Sequence, residues 1–125
     1  MFSFRTMYEI IAWSIWQRVL SYVIPKNDPA DWMIRKSVSE KKLVVCDYNG
    51  HFRVVEIHIY GTYKGKTGVL TYQLWGESSS KELGWKRMHV SKMHNLTILD
   101  KTFPGRRDVS DMHTKWDIVY MLVDE

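Results

Sequence analysis

The chain has little of what disulfide-stabilised, secreted or disordered proteins contain. Of its 125 residues, one is cysteine, three are proline and seven are glycine. The single cysteine, Cys46, excludes an internal disulfide and is typical of a protein in a reducing compartment. Because the sequence also has no secretory signal pattern, we predict a cytoplasmic protein. Hydrophobic residues make up 45% of the chain, which supports one packed core and argues against disorder.

Signatures of catalytic and metal sites are also missing. The sequence has five histidines, His51, His58, His89, His94 and His113. None of them shows the helical H-x-x-x-H spacing of a metal site, and none lies beside a cysteine pair. No glycine-rich loop has the spacing that cradles phosphate, and the segment ESSSKE has no serine elbow. Cys46 lies beside two valines, where a small buried core residue is expected. We therefore predict a protein that is not an enzyme and that needs no metal or cofactor.

Charge is unevenly distributed along the chain, whose formal net charge is +4. Residues 64–107 include nine basic and three acidic side chains, whereas residues 108–125 include five acidic side chains and Lys115. A basic segment attracts phosphates and other anions, so the middle of the chain is a candidate for anion binding. An ordinary solvated surface is the other interpretation.

An apolar helix is predicted near the start of the chain. The segment MYEIIAWSIWQRVLSYVIP has one narrow polar wedge between Ser14 and Ser21 and ends before a proline. Its wide apolar surface predicts packing on the sheet, on a second copy of the chain or on a partner protein. Its charged residues argue against a membrane span. We assign residues 1–41 to this helix and to a polar linker or short irregular helix, KNDPADWMIRKSVSEK.

From Lys42 onward, the hydrophobic pattern changes to alternation. The segments KLVVCDY and HFRVVEIHIYGTY flank Asn49 and Gly50 and predict a β-hairpin, because Asn-Gly supplies positive φ angles. Further strands are predicted at VLTYQLWG, WKRMHV, LTILD and KWDIVYMLV. About six short strands without βαβ alternation predict a mainly β fold, best fitted by a small, strongly bent antiparallel barrel. We assign residues 42–125 to this barrel, with an acidic C-terminal strand and tail.

The predicted strand FRVVEIHIYG carries three charged or ionisable groups. Alternation places Arg53 on the face opposite Glu56 and His58. Glu56 and His58 are two residues apart, so their side chains can interact. On an isolated strand, this pair is expected at the surface with Tyr60 beside it.

Four segments follow the order of a known family pattern. RVVEIH stands where the pattern has an Arg-x-Val-Glu-Pro-His run, with Ile57 in place of the Pro. VLTYQ occupies the next strand, WKRMHVSKM replaces an Arg-x-Phe-Arg strand, and LTILDKTF closes the pattern at Phe103. In this order and spacing, residues 42–107 resemble the WYL domain. Gly68 and Val69 replace the Trp and Tyr that give the family its name. Lys86 replaces an arginine, which keeps the charge but loses the planar bidentate guanidinium.

The resemblance implies an Sm-like, SH3-type β-barrel. WYL domains usually follow a winged-helix DNA-binding domain in bacterial transcription regulators, and 125 residues leave no room for one beside the barrel. The family is thought to sense a nucleic acid or a small anion through a basic and aromatic groove. The resemblance and the strand pattern together yield seven candidate ligand-binding residues, Arg53, Glu56, His58, Tyr72, Trp85, Lys86 and Arg87. Cations would pair with anionic oxygens, rings would stack on a base, and Glu56 would orient His58 or an arginine.

Two functions follow as hypotheses. In the first, the chain is a ligand-sensing or regulatory module that binds single-stranded nucleic acid or another anionic ligand. In the second, it is a structural or protein-interaction module that forms a homodimer, or binds a partner protein, through the N-terminal helix. Binding in the first case weakens as salt rises, whereas apolar association in the second does not.

Overall fold

A computed structural model of the chain describes residues 29–77, 82–108 and 110–124. The chain divides after Asp31 into two compact units, of which Trp32–Glu125 is the larger. The apolar helix predicted before Pro25 lies outside the described residues. In chain order, the described elements are helix α1 (Pro29–Glu40), strands β1 (Lys42–Tyr48), β2 (His51–Tyr63), β3 (Lys66–Gly76) and β4 (Gly84–His89), a 3-10 turn (Val90–Lys92), strand β5 (Met93–Thr102), a second 3-10 turn (Asp111–His113) and strand β6 (Ile118–Leu122).

Helix α1 lies where the sequence predicted a linker or a short irregular helix. Pro29 occupies its first position, where an N–H group is not needed, and Asp31 complements the helix dipole in the first turn. Ile34 and Val38 bury one face, and the positive φ of 54° at Lys41 ends the helix. The segment is therefore a regular helix of 12 residues. Within the described parts of the chain, no helix is long and apolar enough to cross a membrane.

Six antiparallel strands form one sheet, which confirms the mainly β prediction. Strands β1 and β2 coincide residue for residue with KLVVCDY and HFRVVEIHIYGTY. Asn49 and Gly50 have φ values of 53° and 77°, and Lys64 and Gly65 in the next turn have φ values of 49° and 77°. Two consecutive positive φ angles characterise a primed hairpin turn. The Asn-Gly prediction is therefore confirmed, and Lys-Gly forms a second turn of the same kind.

The strand order makes the sheet curl. The strands lie in the order β4-β3-β2-β1-β5, and β6 pairs with the second half of β2. Although β4 and β5 are at opposite ends of this order, only the 3-10 turn Val90–Lys92 joins them. Because three residues span only about 10 Å, the two outer strands approach each other there. No ladder joins β4 to β5 among the described residues, so the sheet is strongly curved but not closed.

The core lies on both faces of β2, the strand that pairs with three neighbours. Every residue from Val55 to Gly61 is buried. Strands β1, β3 and β4 add the buried side chains Val44, Val69, Leu70 and Met88. The Arg35 guanidinium of α1 lies 5.6 Å from the Tyr60 ring centroid and 5.8 Å from that of Tyr120. Helix α1 therefore lies beside β2 and β6.

Candidate functional site

Glu56 and His58 form a buried pair on β2. His58 Nε2 lies 2.9 Å from Glu56 Oε1, and the two side chains are 1% and 2% exposed, respectively. The predicted contact is present, but the predicted surface position is wrong. The chain that follows β5 lies against this face, with the Phe103 ring centroid 5.5 Å from that of His58. Alternation within one strand does not show that a later segment of the chain covers this face.

A β-bulge positions His58. In the ladder between β2 and β3, the paired residues step from Ile57 to Ile59 on β2 but only from Thr71 to Leu70 on β3. His58 is therefore the extra residue and has no residue directly opposite. A bulge bends its strand and redirects the side chain of the extra residue. Here the imidazole of the bulged residue contacts Glu56.

Arg107 joins this pair from 51 residues along the chain. Its Nε donates a hydrogen bond to Glu56 Oε1 at 2.7 Å, and its Nη2 donates to Oε2 at 2.8 Å. The guanidinium carbon also lies 4.0 Å from the Tyr72 ring centroid. Paired donors of this kind make the strong arginine–carboxylate arrangement. The resemblance implied that Glu56 would orient His58 or an arginine, and Glu56 contacts both.

Arg107 was not among the predicted site residues. The signal that could have indicated it is Glu56, because a buried carboxylate requires a partner. Pro104 and Gly105 redirect the chain after β5, and Gly105 has a φ of 124°, a conformation that glycine adopts without strain. Because Arg107 lies far from Glu56 along the chain, the sequence did not indicate which basic residue would contact Glu56.

Arg107 and His58 stabilise the charged form of Glu56. Burial alone would raise the pKa of Glu56, but the hydrogen bonds from Arg107 and His58 hold this pKa below its usual range. Glu56 is therefore ionised at neutral pH. His58 Nδ1 is buried and has no hydrogen-bond partner among the described residues.

Aromatic rings line the cluster. Tyr72 on β3 pairs in register with both Glu56 and Trp85. Since residues directly opposite in antiparallel strands share a face, all three point to the same side of the sheet. The Trp85 ring meets three rings edge-on, with centroid distances of 5.1 Å to Tyr72, 4.9 Å to His58 and 4.6 Å to His113. Trp85 therefore connects the buried cluster to the 3-10 turn before β6.

Arg87 lies on the same face, two residues beyond Trp85 on β4. Its guanidinium carbon is 3.7 Å from the Tyr63 ring centroid, and its Nη2 donates to the Met112 carbonyl at 3.1 Å. Trp116 Nε1 donates to the same carbonyl at 2.9 Å. The face therefore carries two arginines, each packed on a tyrosine ring. We call this surface the basic-aromatic face and define it as Tyr63, Tyr72, Trp85, Arg87 and Arg107.

Arg53 and Lys86, which were also predicted for the site, lie on the opposite face. Arg53 is 4% exposed and donates to Gln73 Oε1 at 3.4 Å and to the Tyr48 carbonyl at 3.3 Å. Gln73 follows Tyr72 on β3 and so points to the other side of the sheet. Lys86 precedes Arg87 and is separated from it by the same alternation. The structure thus brings together five of the seven predicted residues, Glu56, His58, Tyr72, Trp85 and Arg87.

Cys46 is a core residue, as expected. It is 1% exposed, and burial raises the pKa of its thiol to about 11, so the thiol is not ionised at neutral pH. In the part of the chain that the structure describes, no group of three or more His, Cys, Asp or Glu residues could hold a metal ion.

Comparison of the chain with protein-family models, with curated proteins and with solved structures finds no match.

Proposed function

We propose that this domain is a ligand-sensing or regulatory module that binds an anionic ligand, in particular single-stranded nucleic acid. The observation that carries the proposal is the basic-aromatic face, where two guanidinium groups lie 3.7 and 4.0 Å from tyrosine ring centroids. Arginine pairs with phosphate oxygens, and aromatic rings stack on bases. A single nucleic-acid strand offers both chemical groups at once.

The basic-aromatic face has donors and rings available for such a ligand. Tyr72, Trp85 and Arg87 are half-buried, and the Arg107 side chain is 38% exposed. Within the described residues, each arginine donates no hydrogen bond from Nη1, although Arg107 uses Nε and Nη2 for Glu56 and Arg87 uses Nη2 for the Met112 carbonyl. These outer nitrogens are suited to phosphate oxygens, while the protein's own bonds hold each guanidinium in place.

The proposed function includes a proposed barrel type and compartment. The WYL resemblance and the strand order support an Sm-like, SH3-type barrel, since β5 lies beside β1 and a three-residue turn brings β4 towards β5. The Tyr48 hydroxyl of β1 also accepts a hydrogen bond from the His89 backbone N–H of β4 at 3.0 Å. The single buried cysteine supports action in the cytoplasm.

Fluorescence anisotropy with labelled single-stranded DNA and RNA tests the proposed function. We expect saturable binding at low salt and a dissociation constant that rises with salt, because phosphate contacts release counterions. Replacing Arg87 by alanine should weaken binding and reduce the slope of log K against log salt by about 0.7, the value for one single-strand phosphate contact. Lys101→Ala is the matched control, because it removes an equal charge from an exposed position on β5.

Arg87→Lys distinguishes stacking from charge. Lysine keeps the positive charge but loses the planar group against Tyr63, so the salt slope should persist while affinity falls about threefold to fivefold. Absence of binding to either nucleic acid at micromolar protein and low salt would reject the proposal. Equal salt slopes in Arg87→Ala and Lys101→Ala would show that the ligand does not use this face.

A protein-interaction module is the second candidate, and exposed apolar side chains favour it. Trp75 and Phe52 meet edge-on at 5.9 Å and are 63% and 47% exposed, and Ile118 and Leu122 on β6 are 55% and 48% exposed. Analytical ultracentrifugation at low and high salt tests this function. A dimer that persists at high salt and is lost in Trp13→Glu would support self-association through the predicted N-terminal helix. A monomer at every concentration would reject self-association.

A further inference from the structure

The 3-10 turn Asp111–His113 begins with a capping box that contains histidine. The Ser110 backbone N–H donates to His113 Nδ1 at 3.0 Å, and the Met112 backbone N–H donates to Ser110 Oγ at 3.2 Å. In the usual box, glutamate or glutamine stands three residues after the serine or threonine and accepts this N-cap bond. Neither of those side chains changes its charge near neutral pH, whereas histidine does. The substitution makes the box sensitive to pH.

The bond from Ser110 specifies the protonation state of His113. An N–H donor requires a lone pair on Nδ1, so the ring must be neutral with its proton on Nε2. Protonation would place an N–H on Nδ1, opposite the N–H of Ser110, and the bond would be lost. Burial lowers the pKa of His113, a hydrogen bond with the Ser110 backbone acts in the opposite direction, and the positive charge of Arg106 lowers the pKa further, so that it lies below its usual range. The box is therefore closed at neutral pH.

The groups that face His113 come from several elements. Trp85 on β4 meets the ring edge-on. His58 on β2 and Arg106 after β5 both disfavour the protonated form of His113, and Asp111 lies exposed on the same turn as His113. Arg87 on β4 reaches the carbonyl of the preceding residue. Among the described residues, no carboxylate forms an ion pair with His113. Ser110 Oγ lies 3.2 Å from His113 Nδ1 and would be the acceptor for a protonated ring, but the same oxygen already accepts from the Met112 N–H. This contact therefore does not replace the bond from the Ser110 N–H.

The same turn covers part of the basic-aromatic face. The Met112 carbonyl accepts hydrogen bonds from Arg87 Nη2 at 3.1 Å and from Trp116 Nε1 at 2.9 Å. The His113 ring lies against Trp85, with 4.6 Å between the centroids. If the capping box opens, Arg87 loses its carbonyl partner and Trp85 loses its cover.

We propose that residues 110–116 form a clasp over Trp85 and Arg87, and that protonation of His113 releases it. The consequence for ligand binding rests on the proposed function, because release would expose the basic-aromatic face to an anionic ligand. The release itself is a property of the protein without ligand. Anion binding should therefore strengthen as pH falls below about 6.5, the ordinary histidine value.

The Ser110 backbone amide, followed by NMR without any ligand, tests the clasp. In the natural sequence, the amide resonance should move in one transition between about pH 7.5 and pH 5, together with the His113 ring. His113→Gln is the matched variant, because its side-chain oxygen can accept the same bond and does not titrate. Its Ser110 amide should stay at the closed position. In His113→Ala, which has no acceptor, the amide should stay at the open position throughout.

Two results would overturn the clasp. In one, the Ser110 amide of the natural sequence does not respond to pH. In the other, it moves equally in His113→Gln, so that the transition belongs to another group. Circular dichroism of both variants shows whether each retains the sheet. A folded His113→Ala protein whose Ser110 amide remains at the closed position would also contradict the clasp.

Anisotropy at the same two pH values tests the effect on binding. The natural protein should bind the oligonucleotide about fivefold more tightly at low pH than His113→Gln does, a factor equivalent to one N-cap bond. His113→Ala should show the tighter binding already at neutral pH. Equal pH dependence in the natural protein and His113→Gln would reject the regulation. A titrating Ser110 amide without oligonucleotide binding at any pH would reject the proposed function and leave the clasp established.

Discussion

Glu56 is one carboxylate that holds two side chains, and its contribution to stability can be measured directly. Glutamine at this position would keep the shape but remove the charge that Arg107 and His58 contact. Breaking a buried ion pair costs about 3 kcal/mol, and the partial exposure of Arg107 lets water offset some of that loss. We therefore expect the free energy of unfolding of Glu56→Gln, measured in urea, to fall by about 2 kcal/mol.

The control for Glu56→Gln is Glu40→Gln on α1. Glu40 pairs with Lys36 at 3.8 Å, and both side chains are about two-fifths exposed, so this change should alter stability by less than about 0.5 kcal/mol. The pH dependence identifies the carboxylate. The pKa of Glu56 is lowered from 4.5 in the folded protein, so its stabilisation is complete above 4.5 and disappears as pH falls through the folded value. Parallel acid destabilisation of the natural protein and Glu56→Gln would contradict this role.

At the scale of elements, β6 depends on a glycine in β2. Gly61 is buried and pairs with Val119, and a Cβ atom added to it would collide with the backbone carbonyl oxygen of Ile118. Rotation of a side chain cannot relieve this collision. We expect Gly61→Ala to destabilise the protein by about 2 kcal/mol and to accelerate amide hydrogen exchange along β6. Thr62→Ala, at the next position of β2, should leave that exchange slow; equal exchange in the two variants would contradict the prediction.

Local chemistry explains which elements the sequence predicted. Strands β1 and β2 are joined by Asn-Gly and were predicted residue for residue, because their pairing uses a two-residue turn and simple alternation. Helix α1 was not predicted as regular, since only Ile34, Ser37 and Val38 are buried in an otherwise polar segment. Tertiary burial, rather than local periodicity, stabilises it.

The candidate site was only partly predictable for the same reason. Alternation correctly placed Arg53 on the face opposite Glu56 and His58, whereas the family resemblance grouped Arg53 and Lys86 with residues of the other face. Alternation could not predict the bulge at His58, because a bulge is a relation between two strands. Nor could it predict Arg107, whose contact with Glu56 spans 51 residues. The face on which a strand residue lies follows from local alternation. Contacts between residues of different elements depend on the path of the whole chain.

At the scale of the whole molecule, Tyr48 connects strands that the ladder keeps apart. Its side chain is on β1 and buried, and its hydroxyl accepts the His89 backbone N–H at the end of β4 at 3.0 Å. Strands β3 and β2 lie between β4 and β1 in the sheet order, so this bond closes across the curve of the sheet. Removing this hydrogen bond therefore tests whether it maintains the curvature of the sheet and the approach of β4 to β5.

Tyr48→Phe removes the hydroxyl while keeping the ring. The His89 N–H would lose its acceptor, so we expect a loss of about 1 kcal/mol in the free energy of unfolding and faster hydrogen exchange of the His89 amide. Tyr63→Phe is the matched control, because the Tyr63 hydroxyl has no hydrogen-bond partner among the described residues while its ring stays against Arg87. If Tyr48→Phe were as stable as Tyr63→Phe, with the His89 amide still protected, the 3-10 turn Val90–Lys92 alone would have to maintain the curvature.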